Sequence, residues 1–181
     1  QDPYSSLHPR LTALDAVAEA CQVPRGCSEI AGRIEGLRML ESMGIPAHDA
    51  MKKPRQLSGG QRQRASVARA LSVSPSVLVA DEPTSAIDQS AQAQLLNLFN
   101  RLIGSGLSII LISHDLAVIR YLAKRVYVMR DGEFVESGDT RQIFSDPRHD
   151  YTRSLIASIP GRAKGLHGSV PHANNPTQAG A

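Results

Sequence analysis

Two runs of residues decide the fold of this chain, Leu57-Ser-Gly-Gly-Gln61 and Val77-Leu-Val-Ala-Asp-Glu82. In the first run, Ser58 and Gln61 have the spacing of a capping box, in which a hydroxyl and an amide satisfy N–H groups at a helix start. Gly59 and Gly60 have no side chains, so that helix start is left uncovered. A phosphate could therefore approach its free N–H groups and its positive dipole end, although the same motif as a cap alone means only a helix.

The second run is short, apolar and bounded by turn-formers, which predicts a strand buried on both faces of a parallel sheet. Asp81 and Glu82 end the run, and Pro83 stops the strand. Ligands of open α/β sheets gather at the carboxyl ends of the strands. Paired acids at this position suit a Mg²⁺ contact and a water-orienting base, and they also suit a simple strand-terminating turn.

A second strand follows after one helix. Apolar residues repeat at helical spacing from Leu95 to Leu102, and Leu107 to Ile112 form the next apolar run. This strand, helix and strand unit predicts a parallel pair with a right-handed crossover. His114 comes just after the second strand, so we expect it at the same sheet edge as Asp81 and Glu82. A lone histidine there also fits a structural hydrogen bond.

These runs together resemble the nucleotide-binding subunits of ABC transporters. Leu57 to Gln61 is similar to their signature motif, and Val77 to Glu82 to their Walker B strand. Ser85 to Asp88 resembles their D-loop, and Ser113-His-Asp115 resembles their switch histidine. All four motifs stand in the order and spacing of that family, and the resemblance extends to about Pro160.

Both ends of the matching region resemble one branch of the family. Gln1-Asp-Pro3 is similar to the Q-loop of peptide and nickel importers, and His149 to Arg153 resemble the C-terminal motif of oligopeptide and dipeptide importers. Asp150 replaces the proline that is usual in that motif. Between these ends, Asp131-Gly132 separates two short alternating runs and predicts a β-hairpin.

The resemblance implies the hydrolysis of MgATP. Glu82 would polarise the attacking water, and His114 would contact the γ-phosphate. Asp81 would hold Mg²⁺, while Gln1 would complete the shell of the metal and of the water. A further set of residues would contact ATP held by a second subunit across the dimer interface: Ser58, Gly59, Gly60, Gln61 and Asp88.

The implied fold class is α/β, with part of a P-loop NTPase (RecA-like) parallel sheet, an inserted α-helical signature lobe and a C-terminal extension. The expected domains are the Q-loop and helical signature subdomain (1–75), the RecA-like half (76–137), the importer-type extension (138–160) and a disordered tail (161–181). The tail is expected from its Gly, Pro, Asn and His content and its lack of apolar periodicity.

A phosphate-cradling loop would read Gly, four residues, then Gly-Lys-Ser or Gly-Lys-Thr. The four lysines are Lys52, Lys53, Lys124 and Lys164, and none of them follows a glycine. We therefore expect a fragment whose N-terminal, phosphate-binding part is missing. Such a fragment is expected to be inactive in hydrolysis by itself.

Composition narrows the classes of function. A net charge of +3 is mild, and 4% aromatic residues offer little stacking surface, so nucleic acid is not expected as a partner. The longest apolar runs are far shorter than the roughly 20 residues that cross a bilayer. Cys21 and Cys27 have no neighbouring histidine or further cysteine, so we expect ordinary thiols and no metal.

By resemblance, two such ATP-binding subunits, identical or different, would work on transmembrane permease subunits. They would lie peripherally at the cytoplasmic face of the inner membrane, and a substrate-binding protein would deliver peptides or nickel. Two other interpretations stay open at this stage. One is a soluble ABC-type ATPase in translation or DNA repair, and the other is a non-catalytic interaction fragment.

Overall fold

The computed structural model describes residues 7–85 and 87–159, with the backbone alone at residues 23–25. Gln1 and the predicted tail 161–181 lie outside these residues. Two compact units divide between Lys124 and Arg125. That division falls inside the stretch 76–137, and the domain boundaries given above stay predictions.

The first unit consists of several helices and one pair of strands. In chain order its elements are α1 (Ala13–Arg25), α2 (Glu29–Ser42), α3 (Ala47–Ala50), a 3₁₀ turn (Pro54–Gln56), α4 (Gly59–Leu71), β1 (Val77–Asp81), α5 (Gln89–Gly104), β2 (Ser108–Ile112) and α6 (Leu116–Leu122). Side-chain caps start the longer helices, as with Thr12 before α1, Ser28 before α2 and Asp88 before α5. Each cap satisfies an N–H group that the helix itself cannot pair.

β1 and β2 pair in parallel, with Val77 opposite Ser108 and Asp81 opposite Ile112. The predicted strand, helix and strand unit is confirmed. One face of this pair belongs to the apolar core of the unit, together with the inner face of α5. The buried members of that core in the sheet and in α5 are Leu78, Ala80, Leu95, Leu98 and Phe99.

The opposite face of the sheet is open to solvent. Its side chains are exposed by 47% at Val77, 61% at Val79, 54% at Ile110 and 50% at Ile112. The predicted burial of the first strand on both faces is therefore wrong for the described chain. The reason is that α5 covers one face and no element in the described ranges covers the other.

Two glycines bring α2 close to α1. A Cβ placed on Gly36 would lie 3.0 Å from the backbone nitrogen of Ala18, and one on Gly32 would lie 2.5 Å from Cγ of Gln22. These helices therefore touch along a glycine face, whereas Ile30 and Ile34 of the same helix are exposed. At Gly36 the neighbouring atoms are backbone, so a side chain there would force the helices apart, whereas at Gly32 it would displace the side chain of Gln22.

The second unit consists of β3 (Arg125–Arg130), β4 (Glu133–Asp139), α7 (Thr140–Ser145) and α8 (Asp150–Ala157). β3 and β4 form the predicted hairpin, with Asp131 at φ 51° and Gly132 at φ 85°. Positive φ at both positions is what a two-residue turn of this handedness requires. Across both units, no described helix combines the length and the apolar character needed to span a bilayer.

The segment that precedes α8 is tied to β4. Both carboxylate oxygens of Glu136 accept backbone N–H groups, from Arg148 at 2.8 Å and from His149 at 3.0 Å. Nδ1 of His149 accepts the Tyr151 N–H at 3.1 Å and so caps α8. Asp150, in the place of the usual proline, forms an ion pair with Arg153 one turn later. The departure from the family motif thus adds a favourable acid to the first helical turn.

Candidate functional site

Glu82 and His114 follow neighbouring parallel strands, and their side chains meet. Nδ1 of His114 lies 2.8 Å from Oε1 of Glu82, and the backbone N–H of His114 donates to the same oxygen at 3.0 Å. The Glu82 N–H donates to the carbonyl of Ile112 at 2.8 Å and so extends the ladder between the strands. The predicted convergence of these two side chains at one sheet edge is confirmed, while their chemical roles stay predictions.

The backbone of Glu82 is held in an unusual conformation. Its φ is +46°, in the left-handed region that costs an L-residue about 1–2 kcal/mol. The carbonyl of Glu82 accepts two hydrogen bonds from Ser85, from N–H at 3.3 Å and from Oγ at 3.0 Å. This turn directs the Glu82 side chain toward His114 and away from the strand axis.

The two side chains differ in exposure. The His114 ring is 81% exposed, whereas the Glu82 side chain is 22% exposed. The hydrogen bond to Glu82, and after it the negative charge of Glu82, raise the pKa of His114. Oε2 of Glu82 is buried and has no hydrogen-bond partner among the described residues. The pair thus joins a carboxylate that has one buried, unpaired oxygen to an imidazole that favours its cationic form.

Asp81 lies at the end of β1, half-buried, one residue before Glu82. Among the described residues, its carboxylate has no hydrogen-bond partner. Nor does the described part of the chain contain a group of three or more His, Cys, Asp and Glu side chains that could hold a metal. Mg²⁺ commonly takes one or two protein carboxylates and completes its shell with water and substrate phosphates. Asp81 fits that manner of binding.

The start of α4 carries the predicted capping box. Oγ of Ser58 accepts the Gln61 N–H at 3.1 Å, and Oε1 of Gln61 accepts the Ser58 N–H at 2.9 Å. The N–H groups of Gly59 and Gly60 have no acceptor in the described ranges. They therefore remain available to an anion, in the positive field of the helix start.

Gly60 has a second role that the sequence does not reveal. It is buried, and a Cβ placed on it would lie 2.6 Å from Cβ of Ala91 in the first turn of α5. The expectation of a bare helix start is therefore wrong on the side of Gly60 that meets α5. Its contact with a nucleotide stays a prediction, through the N–H group alone.

Asp88 is brought next to the signature helix by that contact. It is the exposed N-cap of α5, where Oδ1 accepts the Ala91 N–H at 2.8 Å. The first turns of α4 and α5 thus lie side by side. The predicted site residues form two groups in the described chain, one made of Ser58 to Gln61 with Asp88, the other made of Glu82 and His114 with Asp81 directly before Glu82 at the end of β1. Gln1 lies outside the described residues.

Sequence reasoning misses several residues that support these groups. Asp115 caps α6 through Ala117 and Val118, accepts Nε2 of Gln92 at 3.2 Å, and donates its N–H to Ser113. These bonds fix the loop that carries His114. An acid directly before a helix was the signal for this cap. Asp49 of α3, which accepts a hydrogen bond from Nε2 of Gln61 at 2.7 Å, gave no such signal because it is a single acid without a surrounding pattern.

Comparison with known families gives two matches along the chain. The family model described as "ABC transporter" matches residues 1–85, and the model described as "Oligopeptide/dipeptide transporter, C-terminal region" matches residues 135–180. The first range contains the signature run and the Asp81-Glu82 pair. The second contains the motif before α8.

Curated relatives are similar over most of the chain. The oligopeptide transport ATP-binding protein OppF of Bacillus subtilis is 41% identical over 88% of this chain and 53% of its own length. The probable D,D-dipeptide transport ATP-binding protein DdpF of Escherichia coli K12 is 45% identical over 92% of this chain and 54% of its own. The glutathione import ATP-binding protein GsiA of Escherichia coli O1:K1 is 43% identical over 92% of this chain and 27% of its own length. The chain thus spans about half or less of the length of these relatives.

Solved structures agree with the fold. The ATP-binding cassette MJ0796, in a dimeric post-hydrolysis state bound to ADP and Pi, superposes with a TM-score of 0.67 at 34% identity, covering 75% of this chain and 59% of that one. A second dimeric structure of MJ0796, described as a bacterial ABC transporter cassette, gives a TM-score of 0.66. The mixed α/β fold with its parallel strands is thus part of a P-loop NTPase cassette. The chain belongs to the ABC transporter ATP-binding proteins, in the branch that carries the oligopeptide/dipeptide transporter C-terminal region.

Proposed function

We propose that this chain is part of the ATP-hydrolysing subunit of an ABC importer for peptides or nickel. The contact between Glu82 and His114 carries the proposal. Two residues 32 positions apart are brought to 2.8 Å by parallel strands, at the sheet edge where such folds place their chemistry.

Glu82 serves as the base that orients and polarises the attacking water. Two hydrogen bonds from His114 to Oε1 hold the carboxylate, and Oε2 has no partner among the described residues. His114 contacts the γ-phosphate with its exposed ring, since a raised pKa favours the cation that a phosphate attracts. Asp81 holds Mg²⁺, which neutralises phosphate charge, and Gln1 completes that shell.

The signature helix acts on a nucleotide held by the phosphate loop of a second subunit. Ser58 keeps its hydroxyl hydrogen for donation, because Oγ already accepts from Gln61. Gly59 and Gly60 add their N–H groups, and Asp88 lies next to them at the start of α5. Pairing of subunits is supported by the dimeric state of the MJ0796 cassette.

A role in the import of peptides is supported by the relatives. Their names state oligopeptide transport, D,D-dipeptide transport and glutathione import, and all of these cargoes contain peptide bonds. Nickel is the second cargo that we propose. Permease subunits in the membrane, a substrate-binding protein and a peripheral location at the cytoplasmic face of the inner membrane complete the proposal.

The test uses the native subunit that contains these residues, with Glu82→Gln compared with Glu133→Gln. Glu133 is an exposed hairpin residue and undergoes the same change of charge. We expect Glu82→Gln to lower MgATP turnover by about a hundredfold or more while ATP-dependent pairing, followed by light scattering, persists. The Glu133 variant should keep its turnover. An unchanged turnover in Glu82→Gln would overturn the assignment of the base.

Uptake then decides the cargo. Cells whose only copy of the subunit carries Glu82→Gln should lose the uptake of labelled di- and oligopeptides, or of nickel, while the Glu133→Gln cells keep it. Retention of both uptakes, together with lost hydrolysis, would favour a soluble ABC-type ATPase. That alternative is weaker because the chain carries the oligopeptide/dipeptide transporter C-terminal region.

For the 181-residue chain by itself we propose negligible hydrolysis, because it has no Gly-Lys-Ser or Gly-Lys-Thr loop. Turnover that persists through purification would contradict this. Titration with MgATP separates this proposal from a non-catalytic interaction fragment. Tight binding without a partner would argue against a mere scaffold.

A further inference from the structure

A buried carboxylate lies behind the signature helix. Asp49 in the short helix α3 is 7% exposed, although acidic side chains are rarely buried without partners. It stands between the N-cap Pro46 and the 3₁₀ turn that leads into Leu57. Its burial therefore calls for an explanation from its contacts.

Asp49 joins two partners with its two oxygens. Oδ2 accepts Nε2 of Gln61 at 2.7 Å, and Oδ1 lies 2.5 Å from the ammonium of Lys52. The hydrogen bond from Lys52, and after it the charge of Lys52, hold the pKa of Asp49 below its usual range. The side chain of His48 is mostly exposed and lies farther from the carboxylate, at 3.5 Å. A charged Asp49 thus faces Gln61 directly.

This contact decides which way the Gln61 amide points. An ionised carboxylate can only accept hydrogen bonds, so the NH₂ end of Gln61 must face Asp49. The carbonyl end then faces the backbone N–H of Ser58, at 2.9 Å. With the amide in that orientation the capping box is complete, and Oγ of Ser58 accepts from the Gln61 N–H.

The segment that holds Asp49 is itself fixed from both sides. The carbonyl of Lys52 accepts the Ala13 N–H at 3.0 Å, which joins the segment to the first turn of α1. On the other side, Arg62 of α4 donates to the carbonyls of Pro54 and Leu57. The segment that carries Asp49 is therefore fixed to α1 and α4 by hydrogen bonds that do not involve Gln61.

We propose that Asp49 is a positioning residue for the signature motif, fixing the Gln61 amide and, through it, the Ser58 hydroxyl and the N–H groups that meet a phosphate. The proposal rests on the function proposed above. Asp49 touches neither nucleotide nor metal in this role. It acts through Gln61, and its loss changes how well the signature closes on a nucleotide held by the other subunit.

The structural half of the proposal is tested on the 181-residue chain by NMR of side-chain amides. In the parent chain the Gln61 NH₂ protons, bonded to a carboxylate, should be shifted downfield and exchange slowly. Asp49→Ala should remove both properties. Asp49→Asn, which keeps one acceptor oxygen, should restore the slow exchange in part. Unchanged Gln61 signals in Asp49→Ala would overturn the proposal.

The functional half is tested in the native subunit. Asp49→Ala should lower turnover at saturating MgATP by about tenfold, the loss expected for one hydrogen bond, and Gln61→Ala should lower it by at least as much because it also removes the bond to the Ser58 N–H. The double variant should fall no further than Gln61→Ala, since Asp49 acts only through Gln61 in this proposal. Nucleotide affinity of the unpaired subunit should stay within about twofold, because the signature acts only after pairing.

Two variants keep the result interpretable. Asp49→Asn should recover most of the turnover, which a need for charge or a general loss of folding would not permit. Glu41→Gln, an exposed acid of the same lobe, is the matched control for charge. Additive losses in the double variant, or an Asp49→Asn variant as slow as Asp49→Ala, would overturn the positioning role.

Failure of the proposed function and failure of the positioning role give different results in these experiments. If the parent subunit does not hydrolyse MgATP, that function fails, and the role of Asp49 in turnover fails with it. The Asp49 to Gln61 contact is then decided by the NMR experiment alone. If the parent hydrolyses MgATP and Asp49→Ala does so equally well, only the positioning role is overturned.

Discussion

The two faces of the β1 and β2 pair carry similar residues and have opposite surroundings. Leu78 and Ala80 on one face belong to the core with α5, whereas Val79 and Ile110 on the other face are more than half exposed. The difference teaches that an apolar side chain in a strand indicates that the position can be buried, but not that it is buried. Which face is covered depends on elements far away in the sequence.

The largest expected effect comes from the covered face. Phe99→Ala removes a fully buried ring from the core shared with Leu78, and should lower the free energy of unfolding by about 3–5 kcal/mol. Ile110→Ala on the open face should lower it by about 1 kcal/mol or less. Urea titration of the purified chain measures both. Equal losses would show that the open face is packed in solution.

A smaller effect on the free energy of unfolding is expected at the start of α4, which lies on neither face of the strand pair. Ser58→Ala removes the hydroxyl that caps α4 and should cost about 1 kcal/mol of unfolding free energy. Ser58→Thr keeps the hydroxyl and is the control. Urea titration again gives the comparison. A Thr variant as unstable as the Ala variant would mean that the loss comes from packing and not from the cap.

Glu82 and His114, which follow β1 and β2, should make the stability of the fold depend on pH. Glu82 raises the pKa of His114, so the pair stabilises the fold fully at pH values below the ordinary histidine pKa, and this contribution is lost as pH rises through the raised value. In Glu82→Gln the His114 ring should therefore titrate at a lower pH than in the parent, as followed by NMR. The effect on stability should be small because the ring is largely exposed. A titration unmoved by Glu82→Gln would contradict the contact.

The smallest expected effect is Val79→Thr on the open face, an exchange of nearly equal shape. It should change the unfolding free energy by no more than about 0.5 kcal/mol. Val118→Thr in α6 is the matched exchange at a buried position, 1% exposed, and should cost about 1–3 kcal/mol for a hydroxyl without a partner. A large cost at Val79 would remove the distinction between the faces.

Sequence reasoning succeeded where the determining residues are neighbours. The Ser58 cap needs only Gln61 three residues on, and the hairpin needs only Asp131-Gly132 between two alternating runs. The meeting of Glu82 and His114 also followed, because parallel strands must end at one edge. In each case the rule links residues whose relative position is set by regular secondary structure.

It failed where the partner is distant and has no pattern of its own. Burial on both faces of β1 was wrong because coverage depends on other elements, and Gly60 appeared bare because Ala91 is 31 positions away. Asp49 was missed for the same reason, since a single acid between α2 and α4 does not reveal that it contacts the amide of Gln61 in α4. Such contacts are properties of the assembled lobe.

The left-handed backbone at Glu82 has a consequence for the engineering of this protein. Glycine adopts that conformation without strain, so Glu82→Gly should relieve part of the cost that the carboxylate residue imposes on folding. Where that relief exceeds the loss of the two hydrogen bonds to His114, a screen for heat resistance rewards the removal of the residue to which we assign the chemistry. Stability and catalysis make opposite demands on this one position, and a library scored by melting temperature alone would drift toward inert proteins.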